Sequence, residues 1–186
     1  MKTLIFNGSP RKDGDTAVLI DEFVRQLDGE VKIIDVFDGN IACCTDCRFC
    51  WENEGCSISD GMQKVYDDIQ ASDNILIASP VFFTELTGQL LVVASRLQTY
   101  FCARYFRKET PIAKSKKGGI ILMQGGSHQA DKAADTAKML LNTMNAMDLA
   151  TPVFCLNADS VFPEDNKKAM EGVKEIAEFF NGRTLD

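Results

Sequence analysis

Apolar residues fall into two alternating rhythms along the chain. Short runs at Leu4-Ile5-Phe6, Val31 to Val36, Ile75 to Ala78, Ile120 to Met123 and Val153 to Leu156 predict five strands. Most are too continuously apolar for a sheet with one wet face, so they predict a parallel sheet covered on both sides. Pro152 cannot donate to a sheet ladder, which places the fifth strand at an edge or starts it there. Between the runs, four stretches carry the helical i, i+3, i+4, i+7 spacing. They are Ile20/Phe23/Val24/Leu27, Met62/Val65/Tyr66/Ile69, Ala137/Leu140/Leu141/Met144 and Val173/Ile176/Ala177/Phe180. A fifth stretch, Leu86 to Phe101, is apolar over a wider arc through Leu90, Leu91, Val92, Val93 and Ala94. That arc predicts a helix covered on more than one side, the second side by a partner subunit. Alternating strands and helices define an α/β domain with right-handed crossovers. No repeat, low-complexity tract or linker divides it, so residues 1–186 are expected to form a single domain.

Composition narrows the functional classes. A chain of 186 residues that is 45% hydrophobic can build a sizeable core, which excludes disorder and a disulfide mini-scaffold. Twenty Lys+Arg against 27 Asp+Glu give a net charge of -7. This lacks the general basic footprint of a nucleic-acid binder or a peripheral membrane protein. No run approaches the roughly 18 apolar residues of a membrane span. The apolar run at the N-terminus is too short for a signal peptide, so a cytoplasmic location is expected. Seven cysteines in a reducing compartment point to metal or redox chemistry.

Parallel sheets bind ligands at the carboxyl ends of their strands. After the first strand comes Asn7-Gly8-Ser9-Pro10-Arg11-Lys12-Asp13-Gly14-Asp15-Thr16, running into a helix. Unpaired N–H groups at a helix start, the Ser9 and Thr16 hydroxyls and the Arg11 guanidinium together suit a phosphate. The plainer alternative is a polar turn whose Thr16 caps the helix. A Walker A loop is excluded, because five residues separate Gly8 from Gly14 and Asp15 stands at the lysine position. The Gly-x-Gly-x-x-Gly dinucleotide fingerprint is absent too.

This segment resembles the Gly-Ser-Pro-Arg-Lys-x-Gly-x-Thr loop of the NAD(P)H-dependent FMN reductase family. The resemblance implies a flavodoxin-like fold: a doubly wound five-stranded parallel sheet in the order 2-1-3-4-5 with helices on both faces. It also implies FMN as cofactor, with Ser9, Arg11, Lys12, Asp15 and Thr16 around its phosphate. Relatives often carry Asn where this chain has Asp15. A carboxylate beside a phosphate is unfavourable unless Arg11 or Lys12 neutralises it.

Two further loops are similar to the family's. Pro80, Val81, Phe82, Phe83 and Thr84, followed by Gly88-Gln89-Leu90, match the segment that meets the isoalloxazine ring. Read alone, the same residues suit an apolar loop over the sheet. Gln124, Gly125, Gly126 and Ser127 match the equivalent loop that the family uses on the ring. Leu91 and Ser95 depart from the Lys and Asp common in relatives, and packing or assembly is where their effect is expected. His128, the only histidine, has no nucleophile or acid beside it in sequence and reads as a helix-start residue.

The spacing Cys44-x2-Cys47-x2-Cys50-x5-Cys56 lies in a cysteine-rich loop at residues 43–57. Four thiolates this close can enclose a soft metal centre, an iron–sulfur cluster foremost. Tetrahedral zinc, a redox-active dithiol and free thiols are the other readings. Cys43 is extra to the motif, and Cys102 and Cys155 sit in apolar stretches as buried residues do. Both spacing and position resemble the iron–sulfur flavoprotein branch of the same family. That resemblance implies a [4Fe-4S] cluster on Cys44, Cys47, Cys50 and Cys56, and a homodimer or tetramer. The implied activity is an FMN-dependent oxidoreductase coupling two-electron flavin chemistry to one-electron transfer, with no side chain acting as catalytic acid, base or nucleophile. NAD(P)H or ferredoxin would supply the electrons. The alternatives are a non-catalytic carrier reduced by ferredoxin and a cluster-free NAD(P)H-dependent FMN or quinone reductase.

Overall fold

The computed structural model describes residues 1–127 and 130–183. Its strands are β1 (Lys2–Asn7), β2 (Glu30–Asp35), β3 (Asn74–Phe82), β4 (Glu85–Leu86), β5 (Lys116–Met123), β6 (Ala146–Leu149) and β7 (Val153–Cys155). The helices are α1 (Asp15–Arg25), α2 (Phe49–Glu52), α3 (Met62–Ala71), α4 (Gly88–Ser95), α5 (Gln98–Cys102), α6 (Asp131–Thr143) and α7 (Lys167–Asn181). The sheet runs β2-β1-β3-β5-β6 with parallel pairing, and β7 takes over from β6 along the far half of β5. This is the flavodoxin-like order expected from the sequence, with the fifth position shared by two short strands. No helix among the described residues is long and apolar enough to cross a membrane.

Strand residues alternate between two buried faces, as a period of two requires. Leu4, Phe6, Ile75, Ile77, Ile120 and Leu122 pack with α3, α4 and α6. Ile5, Leu76, Ala78, Ile121 and Met123 pack with α1 and α7. Phe23 of α1 meets Phe180 of α7 edge-on at 5.6 Å, so this second layer closes on an aromatic pair. Gly119 sits where a Cβ would approach Ile176 to 2.8 Å and Leu76 to 3.0 Å. The missing side chain lets α7 lie close against β5. Helix α7 starts on Asn166, whose side chain accepts from the Ala169 N–H, and ends on Gly182 at φ 75°.

Two expectations need correction. The fifth strand, read as one run at Val153–Leu156, shares its position with β6. Exposed Met147 and Asp148 hide β6 from an apolar-run reading, and Pro152 interrupts the ladder between the two pieces. Leu86–Phe101 is not one helix: Leu86 belongs to β4, and the helix breaks after Ser95, where Arg96 turns its side chain into the protein. α5 then continues into a π turn at Ala103–Arg107. Within α4, Leu90 and Val93 are buried in the chain's own core and Leu91 packs against it, while Val92 and Ala94 stay half-buried.

Candidate functional site

The strand ends that carry the three loops are level. Asn7 of β1 pairs with Ala78 of β3, and Pro80 of β3 pairs with Met123 of β5. The Gly8 N–H donates to the Ala78 carbonyl at 2.8 Å, and the Thr87 hydroxyl donates to the Gly8 carbonyl at 2.8 Å. A Cβ on Gly8 would meet the Ser79 hydroxyl at 2.7 Å, so glycine permits this join between the first two loops.

The loop between β1 and α1 is braced by its own residues. The Ser9 N–H donates to Asn7 Oδ1 at 3.0 Å, and the Arg11 N–H donates to Ser9 Oγ at 3.2 Å. Ser9 and Thr16 are buried, whereas Arg11 and Lys12 are exposed. Gly14 is the N-cap of α1 and no side chain caps the helix, so Thr16 is not the cap that the plainer alternative supposed. Its first N–H groups remain available to an anion. Asp15 Oδ2 lies 2.9 Å from Arg11 Nη2, which supplies the neutralisation this carboxylate needs. Lys12 instead pairs with Asp38 at 2.6 Å, and that hydrogen bond holds its ammonium above the usual lysine range.

β3 turns back into β4 through Phe83 and Thr84, with Val81 opposite Leu86 and Phe82 opposite Glu85. Both turn residues have positive φ, 51° at Phe83 and 66° at Thr84. A two-residue hairpin of this kind favours Asn-Gly, and a bulky or β-branched residue there is strained. Phe82 is half exposed and Phe83 fully exposed. Glu85 ties the hairpin to α6 by accepting from the Thr136 hydroxyl at 3.0 Å.

The third loop is sewn to the segment after β7. The Asn157 N–H donates to Gly126 O, and the Ala158 N–H donates to Gln124 O. The Asp159 carboxylate occupies the space a Cβ on Gly125 would need, 2.3 Å away at its nearest oxygen. Asp159 was not visible from the sequence motif. Gln124 Oε1 is buried without a hydrogen-bond partner, an acceptor left over in a loop that matches a flavin contact. The expectation for His128 lies outside the described residues.

Cys44, Cys47, Cys50 and Cys56 line one narrow pocket of about 20 Å³. Among the described residues, no three His, Cys, Asp or Glu side chains stand close enough together to hold a metal ion. The donor chemistry fits a soft centre nevertheless, with four thiols and a buried arginine, Arg96, around the same space. Cys47 and Cys50 differ sharply. The Ser57 hydroxyl, then the Phe49 N–H, draw the exposed Cys47 thiol below the usual range. Burial, then its neighbour Cys102, push the Cys50 thiol up to about 12. Cys102 is buried as expected, but its place beside Cys50 could not be read from spacing.

The pocket's supports come from residues far along the chain. Ser95 Oγ accepts from the Cys44 N–H at 3.0 Å and lies 3.6 Å from Cys43 Sγ. The Thr99 hydroxyl donates to Gly55 O at 2.8 Å, and Arg107 donates to Cys50 O. Arg96 Nη1 donates to Ala42 O at 2.9 Å and to Asp60 Oδ2 at 2.7 Å, while Nη2 donates to Ile58 O at 3.0 Å. Sequence reasoning missed this set. Its one signal was Arg96, a lone charge in the apolar stretch Leu90–Phe101. Ser95, expected to matter for packing or assembly, holds the cysteine loop instead.

A doubly wound parallel sheet with three level loops at its carboxyl edge defines a flavodoxin-like protein. The chain belongs to the NADPH-dependent FMN reductase family, whose sequence profile matches residues 1–160, and it is thereby a flavin oxidoreductase. An iron–sulfur flavoprotein from Archaeoglobus fulgidus is 27% identical over 187 residues, spanning 98% of this chain and 82% of the relative. Another from that organism is 32% identical over 132 residues, 70% of this chain and 64% of the relative. In fold, the chain is similar to NAD(P)H:quinone oxidoreductase from Methanothermobacter marburgensis. Their TM-score is 0.71 at 13% identity, covering 98% and 95% of the two chains. An FMN-dependent NADH-azoreductase from Bacillus anthracis, solved with FMN, gives 0.66 at 14% identity, covering 97% and 100%.

Proposed function

We propose that the chain is an iron–sulfur flavoprotein: an FMN-dependent oxidoreductase that takes electrons from NAD(P)H or ferredoxin and couples two-electron flavin chemistry to one-electron transfer. The observation that carries this reading is the placement of all four motif cysteines around one pocket, in a chain of the FMN reductase family. When bound, FMN supplies hydride and single-electron chemistry, and a [4Fe-4S] cluster supplies single-electron transfer.

The protein's own residues bind and orient. The uncapped first turn of α1 and the hydroxyls of Ser9 and Thr16 receive the phosphate. Arg11 adds a charge-assisted contact, and Asp15 holds the guanidinium in place from the opposite side. Lys12 adds positive charge to the loop. The backbone of Pro80, Val81, Phe82, Phe83 and Thr84 would meet the ring, as would Gln124, Gly125, Gly126 and Ser127. Gln124 Oε1 accepts a hydrogen bond from the ligand. Cys44, Cys47, Cys50 and Cys56 hold the cluster. Exposed Phe101 and Tyr105 beside the cysteine pocket support assembly as at least a dimer.

One observation favours a second reading, a cluster-free NAD(P)H-dependent FMN or quinone reductase: the thiols do not converge on a common point. Protein made and purified without oxygen separates the two. The first reading expects flavin absorbance, a broad iron–sulfur band bleached by dithionite, and about four irons per chain. FMN without iron supports the second reading. Neither FMN nor iron overturns both. Stopped-flow reduction by NADH, NADPH or reduced ferredoxin then identifies the donor.

A further inference from the structure

Arg96 is 1% exposed, and its charged head reaches both ends of the cysteine loop. Ala42 precedes the first motif cysteine and Ile58 follows the last, and their carbonyls meet on one guanidinium. Asp60 completes the clasp. Its Oδ2 accepts from Arg96 and from the Ala42 N–H, and its Oδ1 accepts from the Met62 N–H. One donor remains: Arg96 Nε is buried with no partner. Arg96 lines the same pocket as Cys44, Cys47, Cys50 and Cys56. A buried cation with an unused donor is costly beside apolar surface and favourable beside an anion.

We infer that Arg96 is a positioning residue of the cysteine pocket, and that its Nε–H donates to the anionic sulfur set held there, raising the reduction potential of the centre. The inference rests on the reading of the pocket as a [4Fe-4S] site. Adding one electron makes an anionic centre more negative, so a fixed cation and a hydrogen bond to sulfur favour the reduced form. Asp60 opposes this by neutralising part of the guanidinium charge. The pair thus makes opposite predictions for its two members, which a purely structural clasp would not.

The test uses anaerobically made protein and two variants: Arg96→Gln and Asp60→Asn. Iron per chain is measured in each, with the midpoint potential followed by paramagnetic resonance during dithionite titration. Arg96→Gln should shift the potential downward relative to the parent protein, and Asp60→Asn upward. Shifts of the same sign in the two charged-pair variants, or no shift in Asp60→Asn, overturn the inference while the iron-loaded parent upholds the cluster. An iron-free parent overturns the cluster reading and the inference with it. If Arg96→Gln does not fold, the sign in near-isosteric Asp60→Asn decides alone.

Discussion

The loop after β1 and the loop after β2 leave neighbouring strands at the same edge of the sheet, yet they hold their shape differently. The first is braced within itself, by Asn7 to Ser9, Ser9 to Arg11 and Arg11 to Asp15. The cysteine loop is held largely from outside, by Ser95, Arg96, Thr99 and Arg107. Seven residues between a strand and a helix can satisfy their own polar groups, whereas a long segment with little regular structure needs partners elsewhere. The flavin-type loop therefore travels as a motif. The cysteine loop depends on where α4 ends.

Removing the clasp should break the comparison most visibly. Asp60→Ala leaves the Arg96 cation buried and unpaired, at a cost of about 3–5 kcal/mol, read as a lower urea midpoint and loss of bound iron. FMN affinity should stay within about twofold, because the phosphate loop makes no use of Asp60. A parallel fall in FMN binding would show that the two loops form one unit. The same carboxylate sets an acid limb. Burial alone would raise its pKa, but the Arg96 hydrogen bond and the Ala42 and Met62 N–H groups outweigh burial and hold it low. A depressed folded pKa stabilises above the unfolded value of about 3.9, and that stability is lost as pH falls below it. Urea midpoints between pH 6 and pH 3 should fall less steeply in Asp60→Asn than in the parent protein.

The same contrast sets what the sequence revealed. Leu4 to Phe6, Ile75 to Ala78 and Ile120 to Met123 announce their strands because both faces are buried, leaving uninterrupted apolar runs. β6 escaped notice because its Met147 and Asp148 are exposed at the sheet edge. Ser9, Arg11 and Thr16 were legible as a group, since a helix start brings close neighbours in sequence together. Arg96 and Thr99 were not, because only the break between α4 and α5 carries them to the cysteines, and Asp60 gave no sign in sequence of the distant guanidinium it meets. Asp159 likewise reaches Gly125 through a fold contact that no spacing records.

Arg11→Ala sharpens the other side of the comparison with a smaller effect. Losing one charge-assisted phosphate contact should cost about 1.5–3 kcal/mol, roughly 10–100-fold in FMN affinity. Iron content and the urea midpoint of the FMN-free protein should barely change, because Arg11 is exposed and its pairing with Asp15 is a surface one. Equal FMN titration curves for parent and variant would remove Arg11 from the phosphate site.

The smallest expected effect lies in the β3–β4 hairpin, which we propose meets the flavin. Thr84 has φ 66°, a region that costs an L-residue about 1–2 kcal/mol. Glycine removes that cost but adds roughly 0.5–1 kcal/mol of backbone entropy. Thr84→Gly should thus stabilise the protein by about 0.5–1 kcal/mol, a melting shift of roughly 1–4 °C for a chain of this size. If the hairpin contacts the flavin as proposed, it has a reason to keep the strained residue: a rigid turn would fix the backbone that meets the ring. The variant should then be more stable without FMN and should bind FMN more weakly, because the loosened turn must be ordered again on binding. Stabilisation with unchanged FMN affinity would make the strain incidental and move the ring contact away from this turn. Destabilisation would mean that the Thr84 side chain makes a contact worth more than the strain it carries.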